Sequence, residues 1–98
     1  MSQPPVEIFR FRLYVAGDTQ NSIQALANLK KFCQVYLPDS HEIEVLDVFQ
    51  ESCQTLEDGI FMTPTLVKLS PFPMIKIVGT LNQSNIILQA LGLDTLAL

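Results

Sequence analysis

Met62-Thr63-Pro64-Thr65-Leu66-Val67-Lys68-Leu69 runs directly into Ser70-Pro71-Phe72-Pro73. A run rich in β-branched and apolar residues reads as a strand. Pro64 donates no backbone hydrogen bond, so it belongs at the mouth of that strand or on a sheet edge. Pro71-Phe72-Pro73 closes the strand as a corner. X-Pro bonds are the ones for which a cis form is cheap, and the sequence leaves the isomers of these three prolines open. Beyond the corner, Met74-Ile75-Lys76-Ile77-Val78 reads as another strand. So short a connection demands an antiparallel hairpin. Gly79 ends it.

Upstream, Ile8-Phe9-Arg10-Phe11-Arg12-Leu13-Tyr14-Val15 alternates, with Phe9, Phe11, Leu13 and Val15 on one face and Arg10 and Arg12 on the other. That is a first strand. Ala16-Gly17-Asp18-Thr19 breaks it, and Asp18 or Thr19 is placed to cap the next helix. From Gln20 to Leu37 apolar residues recur every three or four positions (Ile23, Leu26, Leu29, Cys33, Tyr36), which predicts a helix. Pro38 ends it, and Asp39-Ser40 turns the chain. Glu42 to Phe49 predicts a second strand. Strand, helix and strand then form a right-handed βαβ unit with parallel strands. Between Gln50 and Gly59 the pattern suggests a short helix, capped by Glu51 or Ser52, burying Cys53 and Leu56 and ending at Gly59.

The tail from Thr80 to Gly92 supports two readings. Leu81, Ser84, Leu88 and Leu91 fit one helical face, Thr80 and Gln83 have capping-box spacing, and Gly92 suits a C-terminal cap. Ile86, Leu88 and Ala90 also alternate as a strand would. The helical reading gives an α/β domain of order βαβαββα over residues 8–93, with tails at 1–7 and 94–98.

Ninety-eight residues form one domain with a single core. An apolar fraction of 48% against 16% charged excludes disorder. No apolar run is long enough to span a membrane. Met1-Ser2-Gln3-Pro4-Pro5 lacks the basic-then-apolar order of a signal peptide, so a cytoplasmic protein is expected. The net charge of −4, with only six basic residues, argues against general nucleic-acid binding. Cys33 and Cys53 do not form a Cys-x-x-Cys pair, which suggests free thiols. No phosphate-binding loop, catalytic triad, metal cluster or carboxylate pair is present, so neither a cofactor nor an enzymatic activity is expected.

Several of these segments resemble a known family. Thr63-Pro64-Thr65 at a strand entrance, after a βαβ pattern, resembles the proline loop of thioredoxin-like folds. Leu13-Tyr14-Val15-Ala16-Gly17-Asp18-Thr19-Gln20-Asn21-Ser22 resembles the LYVAG-N-T-x-N-S segment of the KaiB family of cyanobacterial clock proteins. Leu46-Asp47-Val48, Thr63-Pro64-Thr65-Leu66, the Ser70–Pro73 corner and Ile77-Val78-Gly79 resemble its other blocks at matching spacing, over about residues 8 to 93. The resemblance implies a metamorphic protein. Its resting form is a tetramer, and its active form is a thioredoxin-like monomer that binds the N-terminal ATPase ring of KaiC, captures KaiA and displaces the kinase SasA. The two folds share the first βαβ half and differ after about residue 50.

The departures from that pattern are specific. The family carries Arg where this chain has Gln24, Lys where it has Gly59, and Arg-Arg where it has Ile75-Lys76, while Lys68 is retained. Loss of cations bears on partner choice, because charge complementarity sets encounter and specificity. Ala90 and Gly92 stand where the family has Gly and Asp. Ala in place of Gly favours a helix, and loss of a carboxylate near a helix C-terminus does the same. Both changes point to a chain that rests as the thioredoxin-like monomer, with the tetramer as the alternative.

Candidate partner-binding residues are Tyr14, Lys68 and Lys76. Candidate fold-determining residues are Pro64, Pro71, Pro73, Gly79, Ala90 and Gly92. Each has a plainer reading. The prolines serve as edge and turn residues, or their isomerisation supplies the timescale of a slow switch. Tyr14 packs at a strand end, and Lys68 is an ordinary strand lysine. Cys33 belongs to the core. Cys53 becomes a redox candidate if a helix N-terminus lowers its pKa. His41 is a solvated turn residue, and Asp18 is a cap.

Three function classes follow. The first is an interaction module that binds a KaiC-like ATPase, with a KaiA-like protein as a further candidate partner, in competition with a SasA-like kinase. The second is a divergent paralogue with a non-clock partner. The third is a thiol oxidoreductase, and it fails at the chemistry: Ala16-Gly17-Asp18-Thr19-Gln20-Asn21, after the first strand, holds no cysteine.

Overall fold

A computed structural model describes residues 7–93. The expected tails at 1–7 and 94–98 lie outside them, save for Glu7. The elements are β1 (Phe9–Val15), α1 (Gln20–Tyr36), β2 (His41–Asp47), α2 (Ser52–Glu57), β3 (Thr65–Ser70), β4 (Ile75–Val78) and α3 (Ser84–Ala90). This is the βαβαββα order, with the tail segment helical. The sheet order is β2-β1-β3-β4. β1 runs parallel to β2, from Phe9 opposite His41 to Val15 opposite Asp47. β3 is antiparallel to β1, with Leu66 opposite Leu13, and β4 is antiparallel to β3, with Lys76 opposite Val67.

Alternation along the strands gives the sheet two distinct faces. Phe9, Phe11, Leu13, Val15 and Leu66 form the main core with Ala25, Leu29, Phe32, Cys33 and Leu37 from α1 and its end, and with Leu81, Ile87 and Leu91 around α3. The opposite face carries a smaller cluster of Tyr14, Val67 and Ile60, bordered by Leu46, Val48 and Leu69. No helix among the described residues is long and apolar enough to cross a membrane.

Several local expectations are corrected. The buried stripe of α1 is Ser22, Ala25, Leu29, Phe32 and Cys33, while Ile23 is 59% exposed and Tyr36 is also exposed. The helix is rotated so that this stripe meets the core, and the Ser22 hydroxyl accepts the Ala16 N–H. Thr19 occupies the N-cap, but its hydroxyl donates to Ser22 Oγ and caps no backbone amide. His41 is not a solvated turn residue. It opens β2, half-buried, with Nδ1 2.7 Å from the Leu37 carbonyl oxygen. In α2, Cys53 and Leu56 are exposed, and no residue of that helix is buried. The expected capping box of Thr80 and Gln83 does not form. Leu81 turns the chain at φ +61 and buries its side chain, so α3 begins only at Ser84.

The helix ends follow the glycines. Gly59 (φ +67) and Gly92 (φ +73) sit just past α2 and α3. Ile60 and Leu93 donate back to the carbonyls of Thr55 and Leu88, and Gly59 and Gly92 to those of Leu56 and Gln89. Both ends are therefore Schellman motifs, in which a left-handed residue satisfies the last free carbonyls. The bonds preceding Pro64, Pro71 and Pro73 are all cis.

Candidate functional site

The face opposite α1 and α3 is built of paired charges. Arg10 and Arg12 of β1 lie in register with Glu42 and Glu44 of β2. The Arg10–Glu42 pair is loose, 3.7 Å apart, with both side chains mostly exposed. Such pairs contribute little to stability. Arg12 is different. Its Nε donates to Glu44 Oε1 at 2.8 Å, and its Nη1 donates to Asp58 Oδ2 at 3.0 Å.

Asp58 follows α2 and is the hub of the face. Its Oδ2 also accepts the Tyr14 hydroxyl at 2.6 Å. The Tyr14 oxygen lies 3.2 Å from the Gln54 carbonyl oxygen, inside α2. Only 12% of the Asp58 side chain and 19% of the Arg12 side chain remain accessible. Burial alone would raise the Asp58 pKa, but the Tyr14 hydroxyl and the Arg12 guanidinium outweigh it and hold the carboxyl below its usual value. Burial, followed by the hydrogen bond to Asp58, pushes the Tyr14 phenol up to about 12. The hydrogen bond to Glu44 raises the Arg12 pKa further, against burial. At neutral pH this is an ionised carboxylate held by a cation and a neutral phenol.

The sequence-predicted residues separate. Tyr14 is fully buried beneath α2. Lys76 shares its face and is exposed, and its Nζ stands 3.2 Å from where a β-carbon at Gly59 would lie. Lys68 points to the other face, opposite Phe11, and is 3% exposed. Its Nζ lies 5.8 Å from the Phe9 ring centroid, within cation–π range. Burial lowers its pKa, with Glu7 opposing. Pro64 and Gly79 are brought together, since the Gly79 N–H donates to the Pro64 carbonyl at 3.0 Å beyond the β3–β4 pairs. Pro71 and Pro73 flank Phe72 at the far corner. Ala90 is the last residue of α3, and Gly92 is its left-handed cap.

Sequence reasoning missed Asp58. The available signal was Arg12 and Tyr14 on one strand face, a cation and a phenol that need a common acceptor once covered. It also missed a group of apolar side chains left outside the core between β2 and β3. Phe49 and Leu56 are each 76% exposed, Phe61 is 91% exposed, and Met62 is exposed as well. The two thiols differ. Burial pushes the Cys33 thiol up to about 11, while Cys53 is at the surface. Among the described residues, no group of three or more His, Cys, Asp or Glu side chains is placed to hold a metal ion.

The N-terminal domain of Synechococcus elongatus SasA superimposes with a TM-score of 0.74 at 20% identity, covering 94% of this chain and 90% of that one. Mitochondrial thioredoxin 3 of Saccharomyces cerevisiae gives 0.68 at 18%, covering 91% and 79%. These likenesses define a thioredoxin-like fold. In sequence, the circadian clock protein KaiB3 of Synechocystis is 39% identical over 83 residues, which cover 85% of this chain and 79% of that protein. The circadian clock oscillator protein KaiB of Synechococcus elongatus is 38% identical over 92 residues, covering 94% and 88%. Residues 12–93 match the KaiB domain. The chain belongs to the KaiB family.

Proposed function

We propose that this chain is a non-catalytic protein-interaction module of the circadian-clock type. It docks as a cytoplasmic monomer on a KaiC-like ATPase ring and regulates the ring's phosphorylation rhythm. The observation that carries this reading is the apolar group Phe49, Leu56, Phe61 and Met62, which the core leaves outside. Single exposed apolar residues are ordinary, but several large ones within one connection between strands mark a surface that another protein covers. Lys76, exposed beside Gly59, supplies a cation on the same side of the sheet.

The partner set follows the family. A KaiA-like protein is a second partner. A SasA-like kinase competes for the same ring, because its N-terminal domain shares this fold. The residues after about position 50 are the half that a change of fold rearranges. Ala90 and Gly92 bias it toward the present arrangement, and Pro64, Pro71, Pro73 and Gly79 are the other fold-determining positions. Thiol exchange is disfavoured, because the only thiol besides the surface Cys53 is Cys33, buried and hard to ionise.

A second reading is a KaiB paralogue with a non-clock partner, another ATPase or a signalling kinase. It is favoured by the neutral residues Gln24, Gly59 and Ile75. Gly59 also has a backbone reason of its own, because at φ +67 a lysine there is strained. Size-exclusion chromatography of this chain with Synechococcus elongatus KaiC, with and without ATP, separates the two. Co-elution that is lost in Phe61→Ser supports the clock reading. Independent elution under both conditions overturns it in favour of the paralogue.

A further inference from the structure

Helix α2 is attached to the sheet in an unusual way. It is six residues long and buries none of them. So short a helix has no stability of its own in water and must be held by tertiary contacts. The apolar contact on its side of the sheet is Ile60, beyond its end, against Tyr14 and Val67. Among the described residues, the side-chain hydrogen bonds between the sheet and this segment all come from β1. Tyr14 donates to Asp58 Oδ2 and touches the Gln54 carbonyl, and Arg12 donates to the same Asp58 oxygen. Gln54 Nε2 reaches Asp58 Oδ1 at 3.4 Å and steadies the carboxylate from within the helix.

We infer that Arg12, Tyr14 and Asp58 form a latch that positions α2. The latch thereby sets whether the connection from Phe49 to Met62 is presented as one rigid surface or comes away from the sheet. The three residues touch no partner themselves. They act by holding the segment that carries Leu56, and Ile60 with its neighbour Phe61. Arg12 and Tyr14 lie on β1, at the centre of the sheet, while Asp58 lies in the connecting segment. The latch is therefore the covalently remote tie between the rigid part of the molecule and its interaction surface. Both donors end on one carboxylate, so removing either leaves a largely buried charge short of a partner, and the effects of the two bonds are coupled. The consequence for binding rests on the docking reading above. The consequence for local stability does not.

Native-state hydrogen exchange by NMR on the full chain tests the latch. The reporters are the amides of Thr55, Asp58, Gly59 and Ile60, which bond within and just past α2. The references are the amides of Leu13 and Val67 in the sheet. Tyr14→Phe keeps the ring and removes the hydroxyl. Asp58→Asn keeps the shape and removes the charge that Arg12 holds. Each variant is expected to raise exchange at the four reporters roughly tenfold or more, with a much smaller change at Leu13 and Val67. The double variant is expected to fall short of the product of the singles. An equal acceleration at all six amides, or none at the reporters, overturns the latch. KaiC of Synechococcus elongatus is the probe for the second arm. Weaker KaiC binding by both variants, alongside selective opening of α2, supports the latch as the positioning device. Selective opening with unchanged KaiC binding overturns its role at the interface. If the unaltered chain does not bind KaiC, the docking reading fails, and the exchange data still decide the latch.

Discussion

On one face of the sheet, Phe9, Phe11, Leu13, Val15 and Leu66 meet α1 and α3 through packed carbon. On the other, Arg12 and Tyr14 reach α2 through hydrogen bonds to a single carboxylate. The first attachment is spread over many side chains. Each is worth about 1.5–3 kcal/mol when fully buried, and none depends on direction. The second is concentrated in a few directed contacts, of the order of 1.5–3 kcal/mol each when a charge is involved. A distributed attachment fails as a unit. A concentrated one can fail locally while the rest of the fold stands. On the latch reading, the molecule places its firmest packing behind the sheet and its most releasable element in front, in the connection that carries Phe49, Leu56, Phe61 and Met62.

The largest effect expected is on the packed face. Leu13 is fully buried at the centre of the sheet, so Leu13→Ala should cost about 2–5 kcal/mol. Urea unfolding should show the loss as a lower midpoint with the slope preserved, and every amide should lose protection together. If Leu13→Ala opened α2 alone, the contrast between the two faces would be wrong.

Next is the response to alkali. The folded Tyr14 phenol titrates near 12, above its ordinary value of 10.0, and the Cys33 thiol near 11, above 9.0. For both groups the folded pKa exceeds the unfolded one. Their contribution to stability is therefore complete below about pH 9 and is lost as the pH rises through the folded values. For Tyr14, the rise from 10.0 to about 12 corresponds to at most about 2–3 kcal/mol. Thermal melts between pH 8 and pH 12 should show this decline, and in Tyr14→Phe the decline should be shallower, leaving the Cys33 part. A Tyr14→Phe profile parallel to the unaltered protein's would show that the phenol is not held as described.

Much of this arrangement was legible in the sequence. The period-two run of β1, the long helix after it and the Thr-Pro-Thr strand entrance each state a local preference that packing then confirms. Where local preference and packing diverged, packing decided. Ile23 and Tyr36 belong to the helical repeat of α1, yet the helix turns them outward, because Ser22, Ala25, Leu29, Phe32 and Cys33 take the buried stripe. Leu56 and Cys53 read as the inner side of α2, but the surface beneath that helix is occupied by the heads of Arg12 and Tyr14, which select Asp58. The hub was illegible because its partners lie 44 and 46 positions away, and no periodicity links them. The tail was ambiguous for a different reason. Ile86, Leu88 and Ala90 suit a strand as well as a helix, and only burial of Ile87 and Leu91 against the main core separates the two.

The smallest effect lies at that tail. Gly92 was expected to favour α3 by removing a carboxylate from its C-terminus. At φ +73 it does more, because any other residue pays about 1–2 kcal/mol to adopt a left-handed conformation, with Asp at the low end. Ala90 is the last residue of the helix, so its advantage over Gly should lie near the lower end of about 0.5–1 kcal/mol. Gly92→Asp should therefore weaken α3 more than Ala90→Gly does, and the two together by about 1.5 kcal/mol. Exchange at Leu91 and Leu93, whose amides close the helix end, measures this directly. The double variant should accelerate both by about tenfold while Leu13 stays protected. If a strand-forming arrangement of residues 82–91 lies within about 2 kcal/mol of the helical one, the same variant should also show a second set of resonances there. Faster exchange with a single set of resonances would mean that α3 frays without a competing structure. The packed face would then be the fixed part of this molecule, and α2 its movable part.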